Sequence, residues 1–171
     1  MKFLNALLIL LLSSCTAYAN IYNNINPPLT PDPKITAGVN HPVVDSTITQ
    51  NNIDSTICKL GGYTNGIGVR NVSTVTKKAV FAEYGIDPRG PHGPYEVDHL
   101  VSLELGGSND IKNLWPQSYT TRTWNAHVKD ALENHLHALV CHKQISLSVA
   151  QSAISSNWIA AYQKYMTMEI N

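Results

Sequence analysis

YEVDHLVSLELGGSNDIKNLWP, residues 95–116, is the stretch that decides the fold. Side chains of alternating character over residues 95–105 have the period of a β-strand. The Gly-Gly-Ser-Asn run at 106–109 predicts a turn, and residues 111–115 predict a second short strand that ends at Pro116. The stretch therefore predicts a β-hairpin.

Helices are predicted on both sides of the hairpin, because apolar residues recur there every three or four positions. They cover residues 73–84, residues 122–141 and a last segment that begins near residue 146. Hydroxyl side chains suit the helix starts: Thr121 or Thr123 for the second helix, and Ser146 or Ser148 for the last. Upstream, residues 53–68 predict a short extended segment with turns.

The composition limits the class of protein. The chain has 171 residues, of which 43% are apolar and 14% are charged, and this length and mixture suit one packed domain. The 12 basic and 12 acidic side chains balance, so the chain lacks the strong positive charge of a protein that holds nucleic acid by charge alone.

The first residues have the layout of an export signal. Lys2 is followed by an apolar run and then by small residues, and the run is too short to span a bilayer. Ala17-Tyr18-Ala19 fits a cleavage site, which predicts a signal peptide over residues 1–19 and a secreted or periplasmic protein. The run that ends at Cys15 also resembles a lipobox, so a lipoprotein tethered through Cys15 remains the alternative.

Clusters of Asn and Pro mark residues 20–48 as a flexible arm, and residues 49–171 as the folded domain. Removal of residues 1–19 takes away Lys2 and leaves a formal charge of −1. It also leaves two cysteines, Cys58 and Cys141, and an even number in an exported chain predicts one disulfide.

The residues of the hairpin resemble the HNH endonuclease family of ββα-metal nucleases. Three features carry the resemblance: Asp98-His99 in the first strand, the Gly-Gly turn, and Asn-Leu-Trp-Pro in the second strand, residues 113–116. The resemblance is closest to exported bacterial HNH-type proteins. It implies an α+β fold with a ββα-metal (HNH/His-Me finger) core over about 95–141, flanked by helices and preceded by an extended arm.

The resemblance also implies roles for individual residues. His99 would be the general base, which suits an imidazole that titrates near neutral pH. Asn113 would orient its ring, and Asp98 would bind a metal. A ligand on the following helix would be Asn125, with His127 as the alternative. Oxygen and amide ligands favour Mg²⁺, with Mn²⁺ or Ca²⁺ as alternatives.

Five cations near the motif are candidates for contacts with the nucleic-acid backbone: Arg70, Arg89, Lys112, Arg122 and Lys129. Together these features predict an exported, metal-dependent endonuclease that cuts DNA, with RNA as an alternative substrate. Two other functions stay open: a catalytically inactive binding or structural module on the same scaffold, and a periplasmic metal-binding protein that uses the His-rich helix. We interpret that helix's own histidines as surface or core residues: His135, His137 and His142.

Overall fold

A computed structural model describes residues 43–60, 69–90 and 93–170. The fold is α+β, with one two-stranded antiparallel sheet and three α-helices within these ranges. In chain order the elements are helix α1 (Thr74–Glu83), strands β1 (Tyr95–His99) and β2 (Leu114–Ser118), and helices α2 (Ala126–Cys141) and α3 (Leu147–Tyr165). The predicted hairpin and helices are therefore present.

β1 is shorter than predicted, and β2 is shifted toward the C-terminus. β1 ends at His99, and the chain continues through a short 3₁₀ helix, Leu103–Leu105, where a longer strand was predicted. β2 pairs with β1 so that Tyr95 lies opposite Ser118, and Pro116 lies inside this strand instead of ending it. A proline is tolerated there because each strand of a two-stranded sheet has one open edge.

Two glycines determine the conformation of the loop between the strands. Gly106 has a φ of +73°, a backbone conformation that favours glycine. A Cβ on Gly107 would lie 1.8 Å from the carbonyl oxygen of Val101, so no other residue fits without movement of the backbone. Gly107 also forms an isolated β-bridge with Val44, which attaches the start of the described chain to the loop.

The helices begin at polar caps. Ser73 and Ser146 cap α1 and α3, and the side chain of Asn125 accepts a hydrogen bond from Val128 N–H at the start of α2. The prediction that Thr121 or Thr123 caps α2 is wrong, because the helix starts later and Asn125 occupies the capping position. In α3, Asn157 departs from helical geometry and its side chain accepts from Ala160 N–H, so it caps the second half of that helix.

The core lies where α2 and α3 pack on each other and on the inner face of the hairpin. Its fully buried side chains come from all three elements, and they include Trp115, Leu132, Leu136, Leu139, Ile154 and Trp158. Ile48, Ile53 and Ile57 extend this core into the segment that precedes α1. Burial of these apolar side chains fixes α2 against the hairpin. This packing places Lys129 of α2 beside Asp98 of β1.

The disulfide prediction is confirmed, because Cys58 and Cys141 are bonded. The segment before Cys58 is a 3₁₀ helix, Gln50–Ser55, which overlaps the start of the stretch 53–68 where a short extended segment with turns was predicted. The predicted signal peptide with Cys15, residues 20–42 of the predicted arm and residues 61–68 lie outside the described residues. A disulfide is compatible with an extracellular or periplasmic location. Within the described ranges no helix combines the length and apolar character that crossing a membrane requires.

Candidate active site around His99

Adjacent residues at the end of β1 point to opposite sides of the sheet. Asp98 and His99 are both buried, with 9% and 3% of their surfaces exposed. Because side chains alternate along a strand, Glu96 and Asp98 share one face and His99 lies on the other. The Asp98 face is turned toward α2, since its carboxylate reaches Lys129 on that helix.

Lys129 is a fully buried ammonium whose three hydrogens are all donated. It donates to Asp98 Oδ2 at 2.6 Å, to the carbonyl oxygen of His99 at 2.8 Å, and to Glu133 one turn later on α2. Burial opposes its charge, but attraction by Asp98 and Glu133 outweighs burial and raises the pKa of Lys129. The prediction that Lys129 contacts nucleic acid is wrong, because its ammonium is enclosed and has no hydrogen left for a phosphate.

Hydrogen bonds around Asn109 determine which nitrogen of His99 is basic. Asn109 Nδ2 donates to the carbonyl oxygen of Val69 at 2.7 Å, so Asn109 Oδ1 is the atom that lies 3.0 Å from His99 Nε2. The backbone N–H of Asn71 also donates to this oxygen, at 3.4 Å. An amide oxygen only accepts, so Nε2 carries the proton and Nδ1 of the neutral ring has the free lone pair.

The surroundings of His99 keep its ring neutral. Burial lowers the pKa of His99 below its ordinary value, and the positive charges of Arg70 and Lys129 act in the same direction. The hydrogen bond to Asn109 and the negative charge of Asp98 oppose this shift without reversing it. At neutral pH the ring is therefore a proton acceptor.

Asn113 supports the backbone and not the imidazole. Its Oδ1 accepts from Val101 N–H at 3.0 Å, and its Nδ2 donates to the carbonyl oxygens of Val101 and Ser108 at 3.0 and 2.9 Å. The prediction that Asn113 orients the ring of His99 is wrong, because these backbone groups use its amide and Asn109 holds the ring instead. Asn113 therefore fixes the loop from which Asn109 reaches His99.

Additional carboxylates surround the ion pairs of Lys129. Tyr119 donates its hydroxyl to Glu96 Oε2 at 2.6 Å, which raises the pKa of Tyr119. Burial raises the pKa of Glu96, and repulsion from Asp98 and Asp130 adds to it. Burial also raises the pKa of Asp130, and the negative charge of Asp98 adds to this increase. Two carboxylates thus pair with one buried ammonium, and Glu96 and Asp130 lie close enough to interact electrostatically with them, which makes this face of the site acidic.

The predicted pair of metal ligands does not form a metal site in this arrangement. Asp98 gives one oxygen to Lys129, and the oxygen of Asn125 caps α2 while its Nδ2 donates to the Thr121 carbonyl. His127, the alternative, is exposed, and its ring lies against Tyr119 with centroids 5.1 Å apart.

A different group could hold a metal ion. Within the described ranges, one group brings three potential ligand atoms of His, Cys, Asp or Glu within 4.8 Å of one another. It consists of Cys58, His137 and Cys141. This group lies at the far end of α2 from Asn125, and its two sulfurs form the disulfide.

The other predicted cations are dispersed. Arg70 is exposed and acts electrostatically on both His99 and Asp130, which places it at the rim of the site. Arg89 pairs loosely with Asp87 at 3.8 Å, with 92% of its side chain exposed. Lys112 and Arg122 are exposed as well. Of the five cations, Arg70 is therefore the best placed to meet a phosphate near His99.

Several residues of the site were not predicted. Glu133 follows Lys129 by four positions, a spacing that brings oppositely charged side chains together on a helix, so this contact could have been found. Asn109 was interpreted only as part of a turn, and the partnership of Glu96 with Tyr119 depends on strand pairing that no local pattern reveals.

Comparisons with known proteins returned nothing: no family model, no curated protein and no solved structure matches this chain.

Proposed function

We propose that this chain is an exported endonuclease of the HNH type that hydrolyses phosphodiester bonds in DNA, with RNA as an alternative substrate. The observation that carries the proposal is the neutral His99, whose Nε2–H is held by Asn109 and whose Nδ1 is left to accept a proton. The order of elements supports it as well, because the hairpin of β1 and β2 is followed directly by α2. In this proposal the three elements are the ββα core of the family.

His99 would remove a proton from the water that attacks phosphorus. Nδ1 accepts that proton, and Asn109 Oδ1 stabilises the imidazolium that forms, because it continues to accept from Nε2–H. The bond from phosphorus to the 3′ oxygen then breaks, and this oxygen takes a proton from solvent. Arg70 supplies positive charge at the rim, where the negative charge of the attacked phosphate increases.

The resemblance implies Mg²⁺, with Mn²⁺ or Ca²⁺ as alternatives. Asp98 and Asn125 do not fit such a cation as a ligand pair, because Asp98 gives one oxygen to Lys129 and the oxygen of Asn125 caps α2. The metal requirement of cleavage is measured directly by comparing each cation with a chelator.

A second candidate function is an exported binding or structural module that does not cut. One observation favours it: the buried ammonium of Lys129 holds Asp98, the residue expected to bind the metal. Such a module would keep the hairpin, the helices and the disulfide and would lack turnover.

A plasmid-nicking assay separates these functions. Wild-type protein, His99→Ala and the control His142→Ala are each incubated with Mg²⁺, Mn²⁺, Ca²⁺ or a chelator. His142 is an exposed histidine at the end of α2 outside the site, so its variant should match wild type. We expect His99→Ala to cut about 10² to 10⁴ times more slowly, the usual contribution of a positioned base.

Full activity in a well-folded His99→Ala protein would overturn the proposed mechanism. Absence of nicking by folded wild-type protein under every condition, on plasmid and on RNA, would favour the non-cutting module. Circular dichroism of each variant establishes that the fold is retained.

A further inference from the structure

One cluster of chemically reactive side chains lies outside the candidate active site. Cys58 Sγ, Cys141 Sγ and a ring nitrogen of His137 lie within 4.8 Å of one another. His137 and Cys141 are four residues apart on α2, so their side chains lie on the same face of that helix. Cys58 meets them from the segment that follows the 3₁₀ helix Gln50–Ser55.

We infer that the reduced protein binds one soft divalent cation of the zinc class through Cys58, His137 and Cys141, so that disulfide and metal are alternative states of one site. Two thiolates and one imidazole are the ligands that Zn²⁺ prefers. Three protein ligands leave the fourth tetrahedral position to water. All three residues are half-buried, so solvent can reach that position. This inference is independent of the proposed nuclease activity.

The geometry of the cluster does not depend on the disulfide alone. Ile53 and Ile57, each 1% exposed, anchor the segment before Cys58 in the core. His137 Nε2 lies 2.8 Å from the carbonyl oxygen of Ile57, and Lys143 pairs with Asp54 at 2.5 Å. These contacts cross from the segment to α2 and its end, so they keep Cys58 beside the helix after the sulfur–sulfur bond is opened.

The imidazole is already directed at the sulfurs. His137 Nε2 lies 3.3 Å from Cys141 Sγ, and at present its proton is donated to Ile57 because a carbonyl oxygen only accepts. For Nε2 to bind a metal, the single proton of the neutral ring must move to Nδ1 through solvent, and the hydrogen bond to Ile57 is lost. Metal binding therefore exchanges one neutral hydrogen bond for a coordinate bond.

The change from disulfide to metal site requires a reductant. A phosphine reductant with one water converts the disulfide into two thiols and becomes a phosphine oxide. Binding of the cation then releases both thiol protons to the buffer and leaves two metal-bound thiolates. Since both sulfurs are then occupied, the bound cation blocks formation of the disulfide until it is removed.

The test uses Co²⁺ as a spectroscopic probe and Zn²⁺ as the competitor. The protein is reduced with a phosphine, freed of reductant without oxygen, and titrated with Co²⁺ while circular dichroism monitors its helices. We expect one Co²⁺ per chain with a thiolate charge-transfer band, its displacement by one Zn²⁺, and no such band in the oxidised protein.

Variants assign the ligands. His137→Ala should weaken Zn²⁺ binding by more than the 10- to 100-fold that loss of an outer partner typically costs. His135→Ala, a histidine of the same helix outside the cluster, should bind as wild type does. Cys58→Ser should lose the charge-transfer intensity of one of the two thiolates.

Three binding results would overturn the inference. They are a reduced protein that stays helical and shows no thiolate band, an affinity unchanged by His137→Ala, and equal metal binding before and after reduction. A reduced protein that loses its helices and does not recover them with Zn²⁺ would also overturn it, since the site requires α2.

Discussion

Replacement of Lys129 by methionine should strongly destabilise the fold, because Met keeps the apolar stem and removes the ammonium. Asp98, whose side chain is only 11% exposed, would then be left as an unpaired buried carboxylate, and Glu133, 13% exposed, would lose its hydrogen-bond donor. Removing one partner of a buried ion pair costs about 3–5 kcal/mol. The backbone carbonyl of His99 would lose its donor as well.

The assay is urea unfolding at pH 7, monitored by circular dichroism and tryptophan fluorescence. A loss of about 3–5 kcal/mol corresponds to a fall in Tm of about 10–15 °C for a domain of this size. Lys112→Met, which removes an exposed lysine, is the matched control and should stay within about 0.5 kcal/mol of wild type. Addition of Asp98→Asn and Glu133→Gln to Lys129→Met should recover much of the loss.

A loss below about 1 kcal/mol at pH 7 would refute the reasoning, since a buried ammonium with three acceptors cannot be removed at so low a cost. A triple variant as unstable as Lys129→Met alone would assign the effect to packing instead of charge.

Four further predictions concern single residues. Cleavage should rise with pH to a plateau, with an apparent pKa below 6.5, because burial lowers the pKa of His99; a midpoint above 7 in a pH–rate profile would contradict this. Burial raises the pKa of Glu133 to about 8, so the unfolded chain loses this proton at lower pH than the folded chain does. The stability of wild type should therefore fall as pH rises from about 4.5 to 8. The stability of Glu133→Gln relative to wild type should increase between about pH 5 and 8 in urea titrations. Asn113→Ala should cost about 2–4 kcal/mol in the same assay, because it leaves buried backbone groups of the loop without partners. Gly107→Ala should cost at least about 3 kcal/mol, since its Cβ would overlap the backbone of Val101, and a melting temperature equal to that of wild type would show that the loop can move aside.

Local patterns in the sequence were sufficient for the secondary structure. Periodicity predicts the three helices, and the Gly-Gly turn with its flanking strands predicts the hairpin. The errors lie at element ends and in two short 3₁₀ helices, where tertiary contacts decide. Asn125 takes the cap of α2, which shortens the predicted helix, and Pro116 stays in β2 because that strand has an open edge in the two-stranded sheet of the described residues.

The site was less predictable, because its contacts join residues far apart in the chain. Asp98 and Lys129 are 31 positions apart, and nothing local to either shows that the lysine is buried. Asn109 and Asn113 lie in the same loop, and sequence alone does not tell which amide reaches His99 and which supports the backbone. Only the folded hairpin separates those roles.

The disulfide between Cys58 and Cys141 spans 83 positions and encloses α1, the whole hairpin and α2. Asp98, Asn109, Lys129 and Glu133, with Arg70 at the rim, all belong to this covalent ring. A protease that cuts one peptide bond within the ring leaves two fragments still linked, and the pieces can keep their shared core. A protein built in this way tolerates a single nick that would split an open chain in two, and only reduction together with the nick would release the fragments.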